Sequence, residues 1–477
     1  MDLFSLIENL PTDLLYVITN YDPSVIFCVP KSLPTYDWFK LIKMNFSLEY
    51  ERHSSTNEEI MRIYSNHCFK EKSTIACSHA TTIIIFPDTT MGCGDNSSGQ
   101  LGFGDKQNQA VFAEIPGISK NIVSVIPSIF SIFIRLTDGT VMSSGTHYCG
   151  ELTQRIFHVQ NSFQKIKNHP EKNIVEMAYG RNHTIIRLLD GTLMGCGYNE
   201  YGQLGMGHYR TTPELEFITI SELPTNIVQV IAIYDWTILR LSDGTLMSCG
   251  DNRFGNLGLG DTITRNTFSK IHGIPKNIAK VTSVQNHTII RLTDGTLMVC
   301  GENDDGQLGV GDYLPRHSFV KIKEIPKNIE EVICNPYHTI IRLTDGTLMH
   351  SGADIGEIDS YRIKNKFTEI KNIPKNIAKI ISGRFHTIIM LTDGTLMGCG
   401  RNTYGQLGMG DFTSRNSFEE IPEIPKNIAE VVCGYTHTII RLRNGTIMSC
   451  GKNKHGQLGL ADNINRLSFT IVDIKKR

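Results

Sequence analysis

Five histidines recur at one position of a repeating pattern: His183, His287, His338, His386 and His437. A set of imidazoles at fixed spacing suggests a metal centre. Metal ligands, however, must converge to within about 2.0–2.1 Å of one ion, and one residue per unit cannot do that. Three other copies carry Thr81, Ser131 and Trp236 there, which fits a hydrogen-bonding structural position. Repeated acids are the second candidate: Asp88, Asp138, Asp190, Asp243, Asp294, Asp345 and Asp393, with Asn444 in the last copy. Asp-Gly is turn chemistry, and no copy pairs two acids at the short spacing a hydrolase needs. The glycine-rich string Asn-x-x-Gly-Gln-Leu-Gly lacks both the dinucleotide-binding pattern and a phosphate-loop lysine, and no Gly-x-Ser-x-Gly elbow is present. The expectation is therefore no catalytic, cofactor-binding or metal-ligating residue, and no enzyme.

What these residues do share is an architecture. Their aspartate positions are spaced by 50, 52, 53, 51, 51, 48 and 51 residues, so one unit is written eight times. In the unit at 278–328, Ile278-Ala279-Lys280-Val281 reads as a first strand and His287-Thr288-Ile289-Ile290-Arg291-Leu292 as a second. Asp294-Gly295 makes a tight turn, Thr296–Cys300 returns as a third strand, and Phe319-Val320-Lys321-Ile322 is a fourth. The intervening loop, 303–311, has three glycines for sharp turns and Leu308 as an apolar peg. It recurs at 96–104, 199–207, 252–260, 402–410 and 453–461, and decays near 145–152 and 352–358. Arg265, Arg316, Arg415 and Arg466 recur after it, which points to hydrogen bonding with nearby carbonyls. Ile-Pro-Lys-Asn-Ile joins units at 274–278, 325–329, 373–377 and 424–428. Four antiparallel strands per unit predict an all-β protein over 73–477, a closed β-propeller, because closing the ring removes the exposed edges of a solenoid.

The string His-Thr-Ile-Ile-Arg-Leu-Thr-Asp-Gly-Thr-Leu-Met-x-Cys-Gly-x-Asn-x-x-Gly-Gln-Leu-Gly-x-Gly resembles the repeat of the regulator of chromosome condensation family. That resemblance spans about Ser73 to Ile474 and implies a propeller, usually of seven blades. Many members place Trp where this chain has Cys196, Cys249, Cys300, Cys399 and Cys450. Two rings fit the count: eight blades, which it favours, or seven with a terminal copy used in closure or excluded. For part of the family the resemblance implies guanine-nucleotide exchange on a Ran-like GTPase. The projecting wedge and basic tail of the known exchange factor have no counterpart here.

A formal net charge of −1 gives no general attraction to nucleic acid or an acidic membrane. Five of the twelve cysteines fall at one repeat position, too far apart between blades to bridge, and no Cys-x-x-Cys occurs. Reduced thiols are expected. The amino terminus has no basic n-region, and no run of about 18 apolar residues follows, so a cytoplasmic or nuclear setting without a membrane is expected.

Residues 1–70 lack the repeat and read as short helices. Leu10-Pro11-Thr12-Asp13-Leu14-Leu15-Tyr16-Val17-Ile18 starts one, with Pro11 near its first turn and Leu14, Leu15 and Ile18 on one face. A second turn or short helix spans Val25–Val29, a third Tyr36–Phe46 around Trp38, Leu41 and Ile42, and a fourth Asn57–Tyr64. The opening resembles an F-box, the module that docks on the adaptor of cullin–RING ubiquitin ligases. The resemblance implies that Leu10, Pro11, Leu14, Leu15 and Ile18 contact that adaptor; the alternative is an ordinary helical cap.

Letters written in every unit serve folding, so recognition belongs where copies differ. Tyr209, Arg210, Tyr313, Phe412 and His455 are the contact candidates on the loops. The expected function is a non-catalytic protein-interaction scaffold, an F-box-type substrate adaptor in one form. The alternatives are a Ran-type exchange factor and a purely structural propeller.

Overall fold

The computed structural model describes Asp37, Trp38, Lys40, Leu41 and residues 75–474, apart from 87–88, 119–121, 129, 137–139, 147–158, 167–173, 189 and 354–362. The chain divides into Met1–Thr74 and Ile75–Arg477. In the first unit the Leu41 N–H donates to the Asp37 carbonyl at 3.1 Å, and the Asp37 carboxylate accepts from the Lys40 N–H at 3.2 Å. This is one capped turn. The F-box residues Leu10, Pro11, Leu14, Leu15 and Ile18 lie outside the described residues.

The second unit is built from eight four-stranded antiparallel sheets, each with its strands in chain order. These are blades 1 to 8, at 75–114, 122–165, 174–219, 227–270, 278–321, 329–369, 377–420 and 428–472. The ring therefore has eight blades, and the seven-blade alternative is set aside: every repeat completes a sheet of its own. First strands contact first strands of neighbouring blades, which puts them innermost around the axis.

Each blade follows from its letters. The second strand of blade 5, His287–Leu292, pairs with Leu297–Gly301 in the register His287↔Gly301 to Arg291↔Leu297. Four of its first residues are buried in a row, although a half-exposed strand would alternate. The reason is stacking: a blade is covered on both faces by its neighbours. One cluster joins Trp236, Ile238 and Leu257 of blade 4 to Ile278, Val281 and Ile290 of blade 5. The hairpin turn keeps its shape because the Asp294 carboxylate accepts the Thr296 N–H at 3.0 Å. Gly295 sits there at φ 80°, where a Cβ would fall 1.6 Å from the Lys327 carbonyl oxygen, so only glycine fits. The same aspartate–threonine contact recurs at Asp190, Asp243, Asp345 and Asp393, and at Asn444. Asp88 and Asp138 lie outside the described residues.

The glycine loop fastens blade to blade. In blade 5 the Asn303 side chain donates to the Asp312 carbonyl and accepts the Leu308 N–H, at 2.8 and 3.0 Å. Leu308 is fully buried as the peg. Val310 then bridges Lys366 of blade 6, and Gly311 N–H donates to Asn365 at 2.7 Å. Equivalent bridges join Phe103 to Ser162, Met206 to Thr267, Leu259 to Ser318 and Met409 to Ser468. Leu460 to Val111 closes the ring between blades 8 and 1. Arg265, Arg316, Arg415 and Arg466 each bond an aspartate four residues earlier and a carbonyl two residues earlier, at 2.5–2.8 Å.

Candidate protein-interaction surface

The recurring histidines form an interior brace. All five are buried. Thr237 Oγ1 donates to the Gln203 carbonyl at 2.8 Å, and Thr438 Oγ1 to the Gln406 carbonyl at 2.7 Å, each reaching into the preceding blade. Each hydroxyl hydrogen is thereby committed, so its oxygen accepts from the histidine beside it. His183 Nε2 lies 2.9 Å from Thr237 Oγ1, His386 Nε2 lies 2.9 Å from Thr438 Oγ1, and His437 Nε2 lies 3.2 Å from Thr82 Oγ1. These three imidazoles are neutral, with the proton on Nε2, whereas both ring nitrogens of His287 and Nε2 of His338 have no hydrogen-bond partner. Burial lowers the histidine pKa to about 3 for His183, His338 and His437 and about 4 for His287 and His386. Cys249, Cys300 and Cys450 point at the same kind of carbonyl, with Sγ 3.5 Å from Gln203, Asn256 and Gln406. Eight described cysteines are free thiols, as expected. Cys196 corrects that expectation: it is disulfide-bonded.

The ring has two unlike ends. Its lower face carries the hairpin turns and the Pro-Lys-Asn junctions. Lys276, Lys327, Lys375 and Lys426 pair there with Asp243, Asp294, Asp345 and Asp393, one contact repeated from blade to blade. Its upper face carries the glycine loops on the outside and, innermost, the short loops between first and second strands.

The loop residues expected from sequence lie on the outer part of the upper face, Tyr209 and Arg210 in blade 3 and Tyr313, Phe412 and His455 in blades 5, 7 and 8, and the structure does not gather them. Tyr209 and Tyr313 expose their rings but donate their hydroxyls to Thr264 and Ile363 of the following blade, both at 3.1 Å. Arg210 is paired with Glu214 at 2.6 Å. Phe412 is 55% exposed. His455 Nδ1 contacts Asn108 Nδ2 at 3.3 Å across the closing junction.

Convergence occurs instead at the innermost loops. Arg384 of blade 7 lies 5.1 Å from the ring centroids of both Phe385 and Tyr435, held between them. Phe385 stacks with Tyr337 at 6.1 Å, and His79 of blade 1 meets Tyr435 edge-on at 5.1 Å. Arg181 of blade 3 lies 6.0 Å from the Tyr234 ring. Burial raises the pKa of Tyr234. The ring contacts thus join the innermost loops of blades 6, 7, 8 and 1 in one cluster and those of blades 3 and 4 in another. Burial pulls the Arg384 pKa down, but its hydrogen bond to Tyr337 and the Tyr435 and Tyr234 hydroxyls outweigh that and leave it raised. Sequence reasoning passed over these loops because each is only two or three residues long. The usable signal was that the letters just before the recurring histidine change from copy to copy.

Charge divides the same face. Blades 7 and 8 present Arg384, Arg401, Lys452 and Lys454, with Arg401 over Phe385 and Lys452 over Tyr404. Blades 4 and 5 present Asp235, Glu302, Asp304 and Asp305, while Asp251 is neutralised by Arg253. Burial, then neighbouring acids against the Asn286 hydrogen bond, raises the Glu302 pKa; burial and Asp304 raise that of Asp305. No group of acidic, histidine or cysteine side chains suited to holding a metal ion occurs among the described residues. No helix among them is long and apolar enough to cross a membrane.

The regulator of chromosome condensation (RCC1) repeat matches residues 174–203, 278–307, 377–406 and 428–457, and a second form of it matches 393–440. Blades 3, 5, 7 and 8 thus carry matches to the RCC1 repeat. The chain is 28% identical over 299 residues to the ultraviolet-B receptor UVR8 of Arabidopsis thaliana, covering 61% of this chain and 56% of that one. It is 26% identical over 295 residues to the bovine secretion-regulating guanine nucleotide exchange factor, covering 59% and 52%. The chain thus spans little more than half the length of these two relatives. Among solved structures it resembles that of Kap60 bound to yeast RCC1 (Prp20), with a TM-score of 0.51, 18% identity and coverage of 63% and 75%. That likeness concerns the fold alone.

Proposed function

We propose that this RCC1-repeat ring is a non-catalytic protein-interaction scaffold that holds a protein target on its upper face. The observation that carries this reading is the contrast between a repeated frame and one mouth where Arg384 and aromatic side chains from blades 6, 7, 8 and 1 converge. Arginine and aromatic side chains dominate binding energy in protein interfaces, and a rigid ring presents them without an ordering cost. Affinity capture with the full chain and mass spectrometry tests it: the expected result is a reproducible partner, and a chain that captures none sinks the reading.

In its finer form the scaffold is a substrate adaptor. Residues 1–70 would dock on a ubiquitin-ligase adaptor through Leu10, Pro11, Leu14, Leu15 and Ile18, which rests on the F-box resemblance of the sequence. Leu14→Asp is expected to abolish adaptor capture while leaving target capture intact. Similarity to the bovine exchange factor supports a second reading, guanine-nucleotide exchange on a Ran-like GTPase. Accelerated nucleotide release from such a GTPase would favour it over the scaffold.

A further inference from the structure

We infer that the upper mouth is a binding site for an extended peptide segment with one acidic and one basic end, the Arg384 guanidinium receiving a carboxylate of the acidic end. This rests on the scaffold reading and adds the site and the partner's chemistry. A guanidinium clamped between two rings cannot turn freely, so its N–H edge is set before a ligand arrives. Among the described residues no carboxylate pairs with Arg384, and its Nε is buried without a hydrogen-bond partner. Arginine 253, by contrast, is already neutralised by Asp251 at 2.7 Å. Tyr435 flanks Arg384 and Tyr337 stacks on Phe385 beside it, so two phenols border the guanidinium.

The surroundings decide what kind of anion fits. Lys452 and Arg401 extend the positive potential outward over blades 7 and 8. Across the mouth the acids of blades 4 and 5 repel a continuous polyanion such as RNA or DNA. A peptide with an acidic end over blades 7 and 8 and a basic end over blades 4 and 5 meets complementary charge at both ends.

The probe is a fluorescein-labelled peptide of three glutamates, four glycines and three lysines, titrated with the full chain in low salt. Arg384→Gln is expected to weaken binding at least about tenfold, the scale of one lost charge-assisted contact. Glu302→Lys is expected to weaken this peptide but not an all-glutamate decamer. Thermal melts of both variants should match the parent, which separates a lost contact from a lost fold. Equal affinity of parent and Arg384→Gln, or tighter Arg384-dependent binding of a single-stranded oligonucleotide, overturns the inference. If affinity capture retains a partner that Arg384→Gln does not disturb, the mouth is wrong and the scaffold stands; if nothing is captured, the scaffold itself falls.

Discussion

The lower and upper faces of this ring are made by the same repeats yet look unrelated. Below, one lysine–aspartate pair and one Asp-Gly turn are copied around the circle. Above, the innermost loops read Ser78-His79-Ala80, Arg181-Asn182, Tyr234-Asp235, Gln285-Asn286, Arg384-Phe385 and Tyr435-Thr436. The difference teaches that repetition separates two tasks within one unit. Sheets, turns and braces must be alike for blades to stack, whereas an innermost loop lies outside the sheet ladder and is free to vary. Repeated positions should therefore govern stability, and the mouth should govern binding.

Acid is expected to give the largest effect on the repeated interior. The buried histidines have folded-state pKa values of about 3 to 4, whereas the unfolded chain takes up protons near 6.5. Their stabilisation is fully present above that pH and is lost as the pH falls towards 4 and 3. At pH 5 the loss is about 2 kcal/mol per histidine. Denaturant melts at pH 7.5 and pH 5.0 check this, and equal stabilities would break the link between the braces and folding.

Leu308→Ala comes next. Its side chain is fully buried, so removal should cost about 2–5 kcal/mol in the same melts and leave peptide affinity unchanged. Thr438→Val should cost less, about 1–3 kcal/mol, by leaving His386 Nε2 unpaired and the Gln406 carbonyl with only the weak Cys450 thiol donor. The smallest effect is expected at Lys276→Ala on the lower face, where the pair with Asp243 is exposed and neither melting nor target capture should move. A lower-face change that abolished capture would reverse the assignment of the two faces.

Much of the frame was legible before any coordinates. Asp294-Gly295 declared its turn, the β-branched run at His287–Leu292 its strand, and Leu308 its peg, because each acts within a few residues of itself. The lacing of Thr438 to Gln406 was not legible, since those partners lie in different units and meet only when blades stack. The mouth was missed for a related reason. His79, Tyr337, Arg384 and Tyr435 are far apart in the chain and become neighbours only when the blades assemble into a ring. The exposed candidates, Tyr209 and Tyr313, were recognisable as aromatics, but their hydroxyls are tied to the next blade.

One feature of the closure reaches beyond this molecule. Blade 8 grips blade 1 through Leu460 and Val111 just as blade 7 grips blade 8 through Met409 and Ser468, and no sheet borrows a strand from elsewhere. The circle has no seam. Duplication or loss of one whole unit would leave complementary ends at the break, so such a lineage can change its blade number without inventing a new clasp. The width of the opening over the axis, and with it the size of what can sit there, then becomes something evolution adjusts by counting.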